Sequence, residues 1–549
     1  MAFVTNDPQK IYRTTGFDPW AHCLPPRLAI DGARSAIPLM ATEGDATPWI
    51  FLKEIDRANV EALDIRDARL AWYSPYFTFG GLRAESDAWP DLQSAVRGLI
   101  QGSVEMDPDM PVGLYQSLAE APDAADPSPR ALSLSNHYVI PRGEVESSFE
   151  IGRGALREAA APYIERLDAG ALGPWLDRRP GDRFESLDRL LESAGLQGIV
   201  ASSALSVQEL TGIPLAWLRP PFVSVYLRGS DEIHFFSGQE IPMHGLPVST
   251  PAGSDSILGL VRGGSIGYEE VDLSWTAWTW LGLRDSGRPA TDVLRRWREL
   301  RAWEDVSAYV IGSAITLTAI DDALRSVHRA LNEGSDVTEL DAYQVYRSTV
   351  ERQISHNRLP VRVRTYFTHT HAGNRSHFPA KATQHSLVPL TSLKIDGGLE
   401  IYDTRGMFHA VSDVTRSAVG TPEGETFYRS LTHALLHGAI AACRPGTKGE
   451  DVFIAGLAVL EREQADIISG GFVPDRGRPL SQAFQRNIGH LLGKQEPATI
   501  EFQPWSRSAL EAGMVGAAEF QWPYQQYCIG VEDLFLVTDD RPVNLTRKT

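Results

Sequence analysis

Between Ile401 and Gly420 the chain reads IYDTRGMFHAVSDVTRSAVG. Residues with strand preference flank a polar break at Thr404, Arg405 and Gly406, so the stretch is expected to form a β-hairpin with Asp403 and Asp413 on either side of its turn. Two carboxylates would then meet on neighbouring strands. A close, buried carboxylate pair is costly unless the two share a proton or hold a cation between them. Further ligand-type residues follow: His490 in RNIGHLLG, Glu519 in GMVGAAEFQW and Glu532 in IGVEDLFLVT, each on a strand-like or turn-like segment. Glu519 and Glu532 stand in apolar surroundings, where an unpaired carboxylate is expensive. Four carboxylates and a neutral imidazole would balance two divalent cations with room for a bridging hydroxide. That is the charge pattern of a two-metal hydrolytic site, with ions about 3.5–4 Å apart.

In this order and over roughly Asp292 to Val537, the sequence resembles the creatinase/aminopeptidase P/prolidase/methionine aminopeptidase family of pita-bread metalloenzymes. The quoted pieces are an Asp, then Asp-Val-Thr-Arg, Gly-His with a glycine three residues on, Gly-Met-Val with a following Glu, and Gly-Val-Glu-Asp. The resemblance implies that Asp403 chelates one ion, Asp413 and Glu532 bridge both, and His490 with Glu519 hold the second. It also implies a hydroxide between the ions as nucleophile and Glu519 as catalytic proton shuttle. Carboxylates with one imidazole suit Mn²⁺ or Fe²⁺, with Zn²⁺ or Co²⁺ possible. Upstream, THTHAGNRSHFPAKATQH holds His369, His371, His377 and His385. A family histidine near this position lines the substrate pocket. His377, in Asn374-Arg375-Ser376-His377-Phe378, resembles it most, with His371 a second substrate-facing candidate. A polar loop with incidental histidines is the alternative. His409 could reach the same pocket or sit in a turn.

Several features depart from the family's peptidases. Where those have a His-Glu-Pro-like tripeptide beyond the metal histidine, this chain has Gln495-Glu496-Pro497, which makes Gln495 a candidate substrate contact. Glu519 is followed by Phe520 and Gln521 rather than by proline and glycine, and Gly530 stands where arginine is common. The interval from Asp403 to Asp413 is one residue shorter than usual. The metal ligands therefore look retained while the groups that hold a peptide are altered. The leading expectation is a metal-dependent hydrolase resembling Xaa-Pro aminopeptidase, acting on a C–N bond of a small peptide or peptide-like metabolite. An alternative keeps the site but changes the reaction, to a lyase like the relatives that cleave dimethylsulfoniopropionate or to an iron-dependent oxidative step. A non-catalytic binding module, as in some chromatin-associated relatives, is the third reading; those relatives have lost metal ligands.

The elements that must position these residues belong to a chain of 549 residues, 43% hydrophobic and 22% charged, long enough for two to four domains. A net charge of −18 argues against nucleic-acid partners, whose phosphates want basic surfaces. The first twenty residues have no apolar run fit for a signal peptide, and no later stretch is long and apolar enough to span a membrane. Cys23, Cys443 and Cys528 are neither a disulfide framework nor a metal set, so a cytoplasmic protein is expected. SVEMDPDMPVGLY and GGSIGYEEVDLSW echo one another, which suggests two α/β units in tandem. Both units resemble the family's small N-terminal domain. The expected organisation is an α/β (α+β) chain of three parts. Residues 1–160 and 161–287 form two creatinase-N-like α/β domains, and 288–549 form a pita-bread catalytic domain with a curved antiparallel sheet. Thr338-Glu339-Leu340-Asp341 reads as a capping box, and Pro422 to Cys443 as a helix. A homodimer is expected because relatives dimerise. Trp275, Trp278 and Trp280 could cover the active-site mouth, although a core role fits them better.

Overall fold

The computed structural model describes residues 1–19, 23, 38–61, 63, 65, 67–73, 88–119, 134–179, 181–242, 248–249, 259–260, 264–372, 381–389, 392–469, 487–494, 499–524 and 527–548. Within these the chain builds two N-terminal sheets and a larger C-terminal one. The first is five-stranded and mixed, running from Ala2–Thr5 to Val104–Met106 in sequence. The second is seven-stranded and contains Asn136–Pro141, Gly198–Ala201, Phe222–Leu227, Glu232–Ser237 and Ile266–Tyr268. The expected boundary at residue 160 falls inside the helix Arg142–Ile164, which follows directly on a strand of the second sheet. Its buried residues Val145 and Phe149 join the core of that sheet, so packing pulls the helix into the second unit.

The two segments that echo each other in sequence pack against one another. Val112 N donates to Leu273 O and Trp275 N donates to Met110 O, while Tyr115 stacks on Trp275 with centroids 3.9 Å apart. Trp275 and Trp278 are buried in this shared core, so they cover no active-site mouth.

The C-terminal sheet has eight strands, six of them on its main path. We number its strands β1 (Val361–Ala372), β2 (Leu393–Asp403), β3 (Phe408–Val411), β4 (Val414–Ala418), β5 (Gly489–Leu491), β6 (Val515–Tyr524), β7 (Tyr527–Leu536) and β8 (Val543–Asn544). The order across is β1-β2-β4-β7-β6-β5; β3 pairs with β2 and β8 with β7, and every pairing is antiparallel. Helices Val306–Asn332 and Glu339–His356 cover one face. Gly312 lets the first of them come close: a Cβ there would lie 3.1 Å from Ile401 Cγ1. The second opens on the Thr338/Asp341 capping box expected from sequence. Pro422–His433 and Gly449–Arg462 pack with β6 and β7. Strand alternation leaves even-numbered residues of β2 on the face away from Val306–Asn332. That face carries the site.

Candidate metal centre

Five strands align one residue each in a single row. His369 on β1 pairs with Asp396 on β2, Asp396 with Thr415 on β4, Thr415 with Glu532 on β7, and Glu532 with Glu519 on β6. Paired residues share a face, so the row sets three carboxylates, a hydroxyl and an imidazole side by side. Asp413 lies two residues before Thr415 and projects from the same face at the start of β4. His490 joins from β5 through its pairing with Ala517, two residues before Glu519.

Asp413, His490 and Glu532 each offer a ligand atom within 4.8 Å of the others, the group of this kind found among the described residues. His490 Nδ1 lies 3.1 Å from Leu491 O, a bond that fixes the ring and turns Nε2 inward, 3.8 Å from Asp413 Oδ2. Thr415 Oγ1 donates to Glu532 Oε2 at 2.8 Å. The glycine before the histidine is required: Gly489 has φ 134°, and a Cβ there would sit 2.3 Å from Ala517 O. On the opposite face Arg416 donates to Glu532 O at 2.7 Å and to Asp533 Oδ1 at 2.6 Å, locking β4 to β7 beneath the carboxylates.

The four acids are all buried. Burial, then the charges of Asp413, Glu519 and Asp396, push the Glu532 carboxyl well above the usual carboxylate range. Asp396 is also raised, by burial first, against the opposing charge of Lys394. Burial and then Lys394 and Lys381 drive His369 down to about 3, so it stays neutral at ordinary pH. Asp396 Oδ1 is buried with no hydrogen-bond partner among the described residues. Buried acids brought together on one face, an orphaned oxygen and an inward imidazole fit divalent cations. Oxygen ligands with one nitrogen favour hard or borderline ions.

A family model, Metallopeptidase family M24, matches residues 314–539, the stretch that contains every residue of this row. The match lies wholly within the C-terminal unit. The X-prolyl aminopeptidase from Caenorhabditis elegans, a cytosolic enzyme with a di-nuclear active site, is similar over 99% of this chain and 86% of its own, at 13% identity and a TM-score of 0.60. The prolidase from Pyrococcus horikoshii OT3 is similar over 67% of this chain and 99% of its own, at 15% identity and a TM-score of 0.50. The N-terminal domain of the FACT complex subunit SPT16 from chickpea, Cicer arietinum, is similar over 69% of this chain and 97% of its own, at 12% identity and a TM-score of 0.51. These likenesses show a shared fold: the C-terminal unit is an M24 pita-bread domain, preceded by further α/β layers as in the aminopeptidase. No curated protein matches.

Four of the five residues expected as ligands, Asp413, His490, Glu519 and Glu532, lie on the face that carries the row. Asp403 does not. The register that pairs Ile401 with Ala410 and Asp396 with Thr415 leaves Asp403 at the far end of β2, beside the turn. Seven residues of strand separate it from Asp396, roughly 23 Å at about 3.3 Å per residue. Its carboxylate accepts from Arg405 N and Met407 N, both at 2.9 Å, and from Arg405 Nη2 at 2.8 Å. It also faces His409, on the helix-covered side. Asp396 takes the place assigned to Asp403, and the loop between the two site aspartates is longer than the sequence reading had it, not shorter. Counting back through the Thr404–Gly406 turn would have found it, since an antiparallel hairpin sets what lies opposite what.

His409 is fully buried, its Nδ1 2.8 Å from Asp305 Oδ1, so it is a core residue and not a pocket residue. His371 faces the site from β1, opposite Lys394, and His369 stands one step closer, opposite Asp396. His377 and Gln495 lie outside the described residues. Lys494, just before Gln495, is described. Its ammonium sits 2.8 Å from Glu209 Oε1 and 2.7 Å from Asp305 Oδ2, and its amide donates to Tyr309 OH at 2.8 Å. The loop that carries His490 is thereby pinned to a helix of the second unit.

Proposed function

We propose that this chain is a metal-dependent hydrolase of the M24 type that cleaves a C–N bond in a small peptide or peptide-like substrate, with Asp396, Asp413, His490, Glu519 and Glu532 as the metal ligands. The observation that carries the reading is the row of paired acids, with Asp413 and His490 converging on Glu532. Divalent ions held there, Mn²⁺ or Fe²⁺ by preference and Zn²⁺ or Co²⁺ as alternatives, supply Lewis acidity toward a carbonyl oxygen and acidify a water molecule. Glu519 is the proton carrier in this reading: Gln521 Nε2 donates to its Oε2 at 2.7 Å and holds the carboxylate in the row. Neutral His369 and its neighbour His371 face the site from β1 and contribute the substrate-side wall. His377 and Gln495 remain proposed substrate contacts on sequence grounds. The chain acts in the cytoplasm as a homodimer in this reading; no described helix is long and apolar enough to cross a membrane.

A second reading, a lyase or an iron-dependent oxidative step on a small metabolite, is favoured by one observation. Gln521 and Gly530, which face each other across β6 and β7, depart from the peptidase pattern beside the ligands themselves. The third reading, a binding module without catalysis, leaves the buried carboxylate set without a use.

Elemental analysis of protein purified without added metal, then reconstitution with Mn²⁺ or Fe²⁺ and assay on Gly-Pro and Xaa-Pro-Xaa peptides, tests the proposal. Bound metal with proline-dependent cleavage supports it. Bound metal without cleavage supports the second reading, and a protein that retains no metal after reconstitution overturns both.

A further inference from the structure

Far from the C-terminal sheet in sequence, the chain brings two histidines together. His137 stands on the strand Asn136–Pro141 and His234 on Glu232–Ser237, antiparallel neighbours in the second sheet. The register pairs His137 with Phe236 and Val139 with His234, so the two histidines are diagonal neighbours on one face. His137 Nε2 lies 3.1 Å from His234 Nδ1, and the rings stack with centroids 5.4 Å apart. His137 also stacks on Phe236, with centroids 4.3 Å apart and planes at 6°, which holds its ring in place. Phe236 and its neighbours Val223 and Val225 on Phe222–Leu227 belong to the core shared with the first sheet. The histidines beside them are only half-buried.

Both rings are neutral at pH 7. Burial, then the neighbouring His234, lowers the pKa of His137; burial lowers that of His234 against the opposing pull of Glu232. A neutral imidazole carries one donor and one lone pair, so the pair is joined by a single shared hydrogen. The same two nitrogens suit one metal ion. Set 3.1 Å apart and each about 2.0–2.1 Å from an ion, they would meet it at about 95–100°, between the right angle of an octahedral site and the tetrahedral angle. The separation need not change; only the ring planes must turn toward the ion. The ion takes the place of the shared hydrogen, and the ring that donated it carries its proton on the outer nitrogen instead, so no net proton is released.

The ligand chemistry differs from that of the acid row. Two imidazoles select borderline ions such as Zn²⁺, whereas a set of carboxylates suits harder ones.

We propose that His137 and His234 form a separate metal site in the second unit, which takes one Zn²⁺ through His137 Nε2 and His234 Nδ1 with water in the remaining positions. The ion clips together two strands, one of which supplies Phe236 to the core that joins the first two sheets. This site stands or falls apart from the reading of the acid row.

The test dialyses the full-length, chelator-stripped protein against Zn²⁺ and measures bound metal, in the wild type and in His234→Gln. The variant should hold one Zn²⁺ per chain fewer and retain the same amount of Mn²⁺. Whatever the acid row binds is common to both chains and cancels in the difference. A second readout needs no variant. Zn²⁺ at ten times its dissociation constant should slow diethylpyrocarbonate modification of His137 and His234 in the wild type by about tenfold, read by peptide mass spectrometry. That readout decides if His234→Gln fails to fold. Equal Zn²⁺ in the wild type and a folded His234→Gln, or modification of the two histidines that Zn²⁺ leaves unchanged, overturns the inference. The pair would then be a hydrogen bond between neutral rings and nothing more.

Discussion

Lys494 offers the sharpest test of how the His490 loop is held. Its ammonium is fully buried between Glu209 Oε1 and Asp305 Oδ2, in a network completed by Arg301, 3.3 Å from Glu209 Oε2, and Arg153, 3.0 Å from Asp305 Oδ1. Burial alone would raise the Glu209 carboxyl; Lys494, then Arg183 and Arg301, outweigh it and hold Glu209 at about 2. A drop from the ordinary 4.5 to about 2 corresponds to about 3 kcal/mol at 1.36 kcal/mol per unit, shared among the three cations. Lys494→Met also strands Asp305, so the expected loss is about 3–5 kcal/mol at pH 7, the range for breaking a buried pair. The sign with pH follows from the depressed value. The stabilisation is complete above pH 4.5 and lost as the pH falls toward 2, so by about pH 3 the Glu209 share should be roughly half or less of its neutral value. Urea unfolding at both pH values measures this through Trp297, whose ring lies 4.9 Å from the Arg301 guanidinium. A Lys494→Met penalty that is equal at pH 7 and pH 3, or below about 1 kcal/mol at pH 7, would refute the reasoning.

Three further outcomes are expected. Asp403→Asn should leave the number of bound metal ions unchanged, since Asp403 stands outside the row, but loosen their binding through the hairpin and lower the midpoint of thermal unfolding. It weakens the pairing with Arg405 and His409 by about 1–3 kcal/mol, roughly 3–10 °C for a unit of this size, measurable by scanning calorimetry. Asp413→Asn should abolish metal retention and activity alike, and Asp396→Asn should lower the metal retained per chain, as elemental analysis after dialysis will show. Gly489→Ala must place its Cβ against Ala517 O, so it should cost about 1–3 kcal/mol and weaken metal binding at least about tenfold through the displaced His490. Metal binding by Gly489→Ala equal to wild type would show that the β5–β6 pairing does not set the histidine.

Much of the site was legible because its residues sit in short, distinctive settings. Asp413, His490, Glu519 and Glu532 each stand beside residues whose roles the structure explains: Gly489 allows the tight turn into β5, and Thr415 and Arg416 fix Glu532 by side chain and backbone. Asp403 was misread for a different reason. Proximity along the chain stood in for proximity across the sheet, and alternation sends Asp396 to one face and Asp403 to the other. Linker composition placed a boundary near residue 160, whereas Val145 and Phe149 of the helix Arg142–Ile164 pack into the core of the second sheet, a contact that linker composition does not carry. The Lys494 network was out of reach, because its partners Glu209 and Asp305 lie far off in sequence and nothing in their local patterns marks them.

The two buried charge systems of this domain show how one sheet separates chemistry from support. On the site face, acids are left mutually repelling, and burial and then the charges of its neighbours hold Glu532 well above its ordinary range, an arrangement that stabilises nothing until metal ions enter. On the helix-covered face and at the junction with the second unit, acids and bases are matched. Arg153, Arg301 and Lys494 against Glu209, Glu304 and Asp305 keep Glu209 and Glu304 near 2. The matched set can hold the frustrated set in place only through rigid connections, and the chain supplies two: Lys494, four residues beyond His490, and the hairpin from Asp403 to His409, which runs back to Asp413. A loss of rigidity at either should therefore reach the metal site without touching a ligand, which is why Lys494 and Asp403 are the informative places to perturb.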